Sequence, residues 1–172
     1  MHHHDLLIIG AGSGNTIIGP EHDHLNIAIA EPAEFGGTCM NRGCIPSKML
    51  VYAADLSLYA QTANKLGVNT SFSGVEWEEI QTRIFGRIDP IAEAGLNYRE
   101  SLENVTVYKD KASFISENTL SIGEEIISAN QIVIAAGAHP DIPQLPGLQE
   151  TPFHTSDSIM RISQLPDRIV II

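Results

Sequence analysis

Cys39 and Cys44 are the only cysteines of the chain, and four residues stand between them in GGTCMNRGCIPSKM, residues 36–49. Sulfur at this spacing has three uses: a structural thiol pair, half of a metal site, or a redox pair that opens and closes. A zinc site needs a second pair of ligands, and the nearest histidines are His22 and His24 upstream, with His154 far downstream. Structural thiols place no demand on Gly36, Gly37 or Lys48. For a redox pair several features agree, and the other two readings stay open. One helical turn over the intervening residues would bring the sulfurs within bonding distance. Cys44 falls just before Pro46, at the expected start of a helix, where unpaired amides and the helix dipole favour a thiolate. Lys48 follows one turn later on the same face and adds positive charge.

A second motif precedes the cysteines. In DLLIIGAGSGN, residues 5–15, an apolar run breaks into Gly10 and Gly12, with Asn15 where GxGxxG spacing puts a third glycine. A strand that turns on such glycines lets backbone approach a pyrophosphate. Asn15 departs from the pattern at the position that packs helix against strand, and Gly14 beside it relieves crowding. Glu31 ends the next apolar run, LNIAIAEP, where an acid accepts hydrogen bonds from ribose hydroxyls. The plainer alternative, turn glycines and a solvated glutamate, stays open on spacing alone. A third stretch, QIVIAAGAHPDIPQLPG (131–147), is again a strand running into glycine, with a Pro-rich exit.

These motifs need elements to hold them. Residues 5–10 and 25–30 read as buried strands. Gly19 and Pro20 make the segment between them a poor, short helix. Met49, Leu50, Ala53, Leu56 and Tyr59 set a helical stripe after Pro46, with Gly67 as its C-terminal cap. VEWEEIQTRIFGRI is a second helix, and Pro90 separates it from a third in IAEAGLNYRESLEN. VTVYKD, ASFISEN, TLSIGE and EIISAN alternate as a small antiparallel meander. LPDRIVII (165–172) reads as a further buried strand, and the chain reads as the opening part of a longer protein. His2–His4 look like a tag-like or disordered lead and are set aside from the fold.

Composition narrows the partners. With 10 basic and 21 acidic residues the net charge is −11, the wrong sign for nucleic acid. No run approaches the ~18–20 apolar residues of a membrane span, and no basic-then-apolar leader opens the chain. A cytoplasmic protein without a metal site is expected.

The three motifs, in this order, resemble the FAD-dependent pyridine-nucleotide disulfide oxidoreductases, and the resemblance runs through nearly the whole chain. It implies an α/β fold: an incomplete Rossmann-like FAD-binding domain with a parallel sheet, a helical insertion and the small meander. That domain would span residues 5–150. Residues 151–172 would be a linker and the first strand of an NAD(P)-binding domain. The resemblance assigns Gly10, Gly12, Ser13 and Gly14 to the FAD pyrophosphate and Glu31 to the adenosine ribose. Gly36, Gly37 and Thr38 would pass beside FAD, with Ala136 and Gly137 closing over it. Cys39 would be the interchange thiol, Cys44 the thiol against the flavin, and Lys48 its neighbour at the ring edge. The implied electron donor is NADPH or NADH and the implied substrate a low-molecular-weight disulfide. The implied assembly is a homodimer of the full-length enzyme. This chain alone is not expected to complete the NADPH-dependent cycle. His139 and His154 read as loop residues.

Overall fold

Apolar runs without polar alternation suit strands buried on both faces, and two of them form the middle of the sheet. The computed structural model describes Met1–Ile172. Strands β1 (His2–Ile9), β2 (Ile27–Ala30), β3 (Val105–Tyr108), β4 (Ala112–Ser116), β5 (Thr119–Ile122) and β6 (Glu125–Ile134) lie in the order β3-β2-β1-β6-β5-β4. The pairs β3–β2, β2–β1 and β1–β6 are parallel, while β6–β5 and β5–β4 are antiparallel.

Side chains alternate faces along a strand, and the core divides accordingly. Leu7, Ala28, Ala30, Ile127 and Ala129 join Tyr108, Leu120 and Ile122 in one cluster. Leu6, Ile8, Ile27 and Ile29 join Ala11, Phe35 and Val105 in the other. Burying one such Leu or Ile contributes about 1.5–3 kcal/mol, so the strand centres anchor whatever sits at their ends.

Several expectations are corrected. The histidines set aside as a lead are strand residues: β1 starts at His2, and His4 is buried opposite Ala129 of β6. No α-helix joins β1 to β2; Gly19 and Pro20 leave only 3-10 turns at Ser13–Ile17 and Pro20–His22. VTVY does not join the meander, because its buried Val105 and Tyr108 pair in parallel register with β2. EIISAN and QIVI are one ten-residue strand, which serves both as a meander strand to β5 and as a parallel partner to β1.

The helices are α1 (Gly37–Arg42), α2 (Cys44–Thr62) and α3 (Trp77–Glu100). Gly67 caps the 3-10 extension of α2 with φ +80, as its position predicts. Pro90 does not divide α3. The apolar face carries on past it through Ile84, Ile88 and Ala92, all buried, and this packing outweighs the lost hydrogen bond.

The chain forms two compact units: Met1–Asn41 with Pro90–His139, which holds the sheet, and Arg42–Asp89 with Pro140–Ile172. In the second, Ile162 O accepts from Trp77 Nε1 at 2.9 Å and Gln81 Nε2 at 2.7 Å. Arg161 pairs with Asp89 at 2.6 Å and lies over the Phe85 ring. Residues 165–172 form no strand, and Ile169–Ile172 are exposed. An apolar run becomes a strand only beside a ladder partner, and none of β1–β6 pairs with it.

Candidate functional site

The first glycine loop grows out of the end of β1. Gly10 N–H donates to Ala30 O at 2.8 Å, and Ala135 N–H donates to Ile9 O at 2.8 Å, so three strand ends converge. Gly10 has φ +109, and a Cβ there would stand 2.2 Å from Ala135 O. Only glycine serves at that point. A Cβ on Gly14 would stand 2.2 Å from the Ala135 Cβ, so Gly14 does take the close-packing place that Asn15 leaves vacant. The AAG stretch therefore meets the first motif: Ala135 sits against both glycines, with Ala136 and Gly137 exposed just beyond it.

Glu31, at the end of β2, faces this loop. Its Oε2 accepts from Ala11 N–H at 2.8 Å and its Oε1 from Ala33 N–H at 2.9 Å. Two carboxylate oxygens offer about four acceptor positions, so capacity is left for further donors.

The second glycine pair lies on the same loop. Gly36 N–H donates to Ala11 O at 3.0 Å, and a Cβ on Gly37, which has φ +63, would stand 2.7 Å from Gly12 Cα. Helix α1 starts at this contact, and Cys39 is its third residue, exposed like Thr38. Asn41 secures the turn from within: its Nδ2 donates to Phe35 O at 2.9 Å and Gly37 O at 3.1 Å, while its Oδ1 is buried without a partner.

Cys44 belongs to the second unit, as the first residue of the 19-residue α2, and it is exposed. Lys48, also exposed, follows four residues on, so the two share a helix face. Buried Pro46 lies in the first turn, where a missing N–H leaves no helical bond unmade. The cysteines do not sit on one helical turn. Gly43, at φ −139 and ψ −122, ends one helix and starts the other.

Two residues of this neighbourhood went unread in the sequence. Asn41 gave no signal. Arg99 did: with Ala92 and Leu96 it continues a helical stripe that faces inward, and a cation in such a stripe must be held by something. The histidines are engaged locally, His22 accepting from Gly19 N–H and His154 bonding Ser158.

The arrangement fits a dinucleotide. Close-packed glycine backbone leaves room where side chains would intrude, an acid stands one strand over, and a buried Asn41 oxygen lacks a donor. All of this lies at the carboxyl ends of parallel strands, where open α/β sheets bind ligands.

Comparison with known proteins agrees. The family described as pyridine nucleotide-disulphide oxidoreductase matches residues 4–172. The chain is 41% identical to the mycothione reductase of Mycobacterium tuberculosis over its whole length, covering 39% of that protein. It is 30% identical to a glutathione reductase of Nostoc, with 98% of the chain aligned to 37% of that protein. Among solved structures, the HOCl-induced flavoprotein disulfide reductase RclA from Escherichia coli superposes with TM-score 0.78 at 25% identity, over 94% of this chain and 35% of that one. The chain thus spans between about a quarter and two fifths of the curated relatives it matches. No helix is long and apolar enough to cross a membrane.

Proposed function

Because this chain belongs to the pyridine nucleotide-disulphide oxidoreductase family, we propose that it carries the FAD-binding and thiol-bearing part of an NAD(P)H-dependent disulfide reductase, with Cys39 and Cys44 as its redox pair. The observation that carries this reading is the contact of Gly37 with Gly12. It starts the helix bearing Cys39 directly on the loop suited to a pyrophosphate.

In this reading Gly10, Gly12, Ser13 and Gly14 hold the pyrophosphate through backbone, and Glu31 takes the ribose hydroxyls on its remaining lone pairs. Gly36, Gly37, Thr38, Ala136 and Gly137 line the cofactor's path, and Lys48 adds positive charge on the Cys44 face of α2. FAD, when bound, supplies the two-electron link by which NADPH or NADH returns the cysteine pair to thiols. The thiol chemistry is the chain's own. The Cys39 thiolate attacks one sulfur of the substrate disulfide; that S–S bond breaks, and the departing thiolate takes up a proton. Cys44, as thiolate, then attacks the Cys39 sulfur of the mixed disulfide, forming Cys39–Cys44 and releasing the second substrate thiol. The substrate gains two electrons and the cysteine pair loses two.

Mycothiol disulfide is the proposed substrate. Identity to mycothione reductase is 41%, against 28–34% for mercuric reductases, glutathione reductases and a dihydrolipoyl dehydrogenase. The segments GSGN, FGRIDPIAEAG with YR, and HTSDSIMRISQLP resemble that enzyme as well. A cytoplasmic homodimer is proposed for the whole protein.

The test is an absorption spectrum of the purified chain with FAD before and after one equivalent of dithionite. Retained flavin with a new long-wavelength band after reduction is the expected result; Cys44→Ser lacks the band, and Cys39→Ser, with no disulfide to take the electrons, shows it before dithionite and loses it as the flavin itself is reduced. A chain that retains no flavin overturns the reading.

A further inference from the structure

Asn15 occupies the place of the third glycine, and no α-helix follows it to hold the loop; the 3-10 segment Ser13–Ile17 is five residues long. The loop is tied instead to a residue 84 positions away. Arg99, on the last turn of α3 and 9% exposed, donates from Nε to Asn15 Oδ1 at 2.7 Å and from Nη2 to Asn15 O at 2.8 Å. Asn15 Nδ2 in turn donates to Ala11 O at 3.4 Å and Gly12 O at 3.3 Å. These carbonyls belong to the two peptides that flank the Gly12 Cα, in the loop that meets Glu31 and Gly37.

A buried guanidinium needs acceptors, and here its hydrogen bonds go to one asparagine rather than to a carboxylate. Its positive charge is therefore not cancelled by a bonded acid. A glycine at position 15 offers no side chain to receive it. We propose that Arg99, acting through Asn15, is a positioning residue for the dinucleotide pyrophosphate: a side-chain latch that sets the glycine loop where no α-helix follows it. The proposal rests on the FAD reading above. Arg99 touches the loop and not the cofactor, so its effect passes through the carbonyls that Asn15 orders and through its nearby charge.

Titration of the whole chain with FAD and with ADP, beside thermal unfolding of the ligand-free protein, tests this. Arg99→Met is expected to weaken both ligands about tenfold, the loss of a charged hydrogen bond; Arg99→Lys, which keeps the charge, is expected to recover part of that. Asn15→Asp separates positioning from folding. It keeps the acceptor for Arg99 and so keeps the melting temperature, but it loses the Nδ2 donors and adds negative charge, so both ligands weaken about tenfold or more. Should Arg99→Met fail to fold, Asn15→Asp decides alone. Wild-type binding with variant affinities within about twofold overturns the latch and leaves the cofactor reading standing. Absence of FAD and ADP binding to the wild-type chain overturns both.

Discussion

Where β1, β2 and β6 end, the chain turns on backbone: Gly10 against Ala135, Gly37 against Gly12, Glu31 holding two amides. Near the start of β1 it closes on side chains instead. His4 is buried with Nδ1 2.9 Å from Asn26 Oδ1 and Nε2 2.9 Å from Tyr108 Oη. Asn26 Nδ2 donates to His3 O, so its Oδ1 faces His4, the Nδ1 carries the proton, and Nε2 accepts from the Tyr108 hydroxyl. Each polar atom of the His4 ring is thereby satisfied from within. The glycine end keeps acceptor capacity and an unpaired Asn41 oxygen in reserve. A region that binds must leave some of its polar potential unspent; a region that only holds strands together has no reason to.

Substitutions at the glycine end should break this contrast most severely. Gly10→Ala combines a left-handed backbone with overlap on Ala135 O, and the expected destabilisation is about 3 kcal/mol or more. Urea unfolding would show it; a loss below about 1 kcal/mol would mean the loop yields easily and is no rigid cradle. Glu31→Ala comes next. It leaves the buried Ala11 N–H without an acceptor, at about 2 kcal/mol, while Glu31→Gln keeps one carbonyl oxygen and should cost less than half of that. Equal losses for the two variants would show that charge, not acceptor geometry, is what Glu31 contributes.

The same contrast explains what could be read without a structure. Gly10, Gly37 and Glu31 were legible as loop residues because close backbone approach demands particular residue types at fixed spacing; the placing of the two cysteines on separate helices was not, since nothing in their spacing marks Gly43 as the break. The parallel strands were legible from runs such as IAIA, all four residues buried. The His4 cluster was not, since a leading HHH carries no periodicity and its partners Asn26 and Tyr108 lie 22 and 104 positions away. Pro90 misled for a related reason. Local propensity ends a helix there, and only the burial of Ile84, Ile88 and Ala92 keeps it going. The run RIVII misled in the opposite sense, because strand propensity has no force without a neighbouring ladder.

A pH series sharpens the comparison at the His4 end. Burial, the largest influence, lowers the His4 pKa below its ordinary 6.5, helped by His2 and His3 and opposed by the Asn26 bond and Asp5. The folded chain thus resists a proton that the unfolded chain accepts. His4 contributes its stability above pH 6.5, and that contribution falls away as pH drops from there through the lowered folded value. The slope for one proton is at most about 1.4 kcal/mol per pH unit. His4→Gln should flatten that part of the stability profile relative to wild type, whereas parallel profiles would place the titrating group elsewhere.

Tyr108→Phe is the smallest change and the most discriminating. It removes one hydroxyl and leaves the ring packed among Leu7, Ala28 and Leu120, so apolar burial is unchanged while His4 Nε2 loses its donor. Burial and the charge of Glu125 raise the tyrosine's own pKa, which keeps the hydroxyl a donor throughout the range where His4 titrates. The expected loss is about 1 kcal/mol at neutral pH. In a cycle with His4→Gln, that loss should shrink, because the two groups satisfy each other. An additive cycle would mean the Tyr108 hydroxyl stabilises the strand start through some group other than His4. The polar closure at this end would then be looser than its distances imply, and nearer in character to the glycine end.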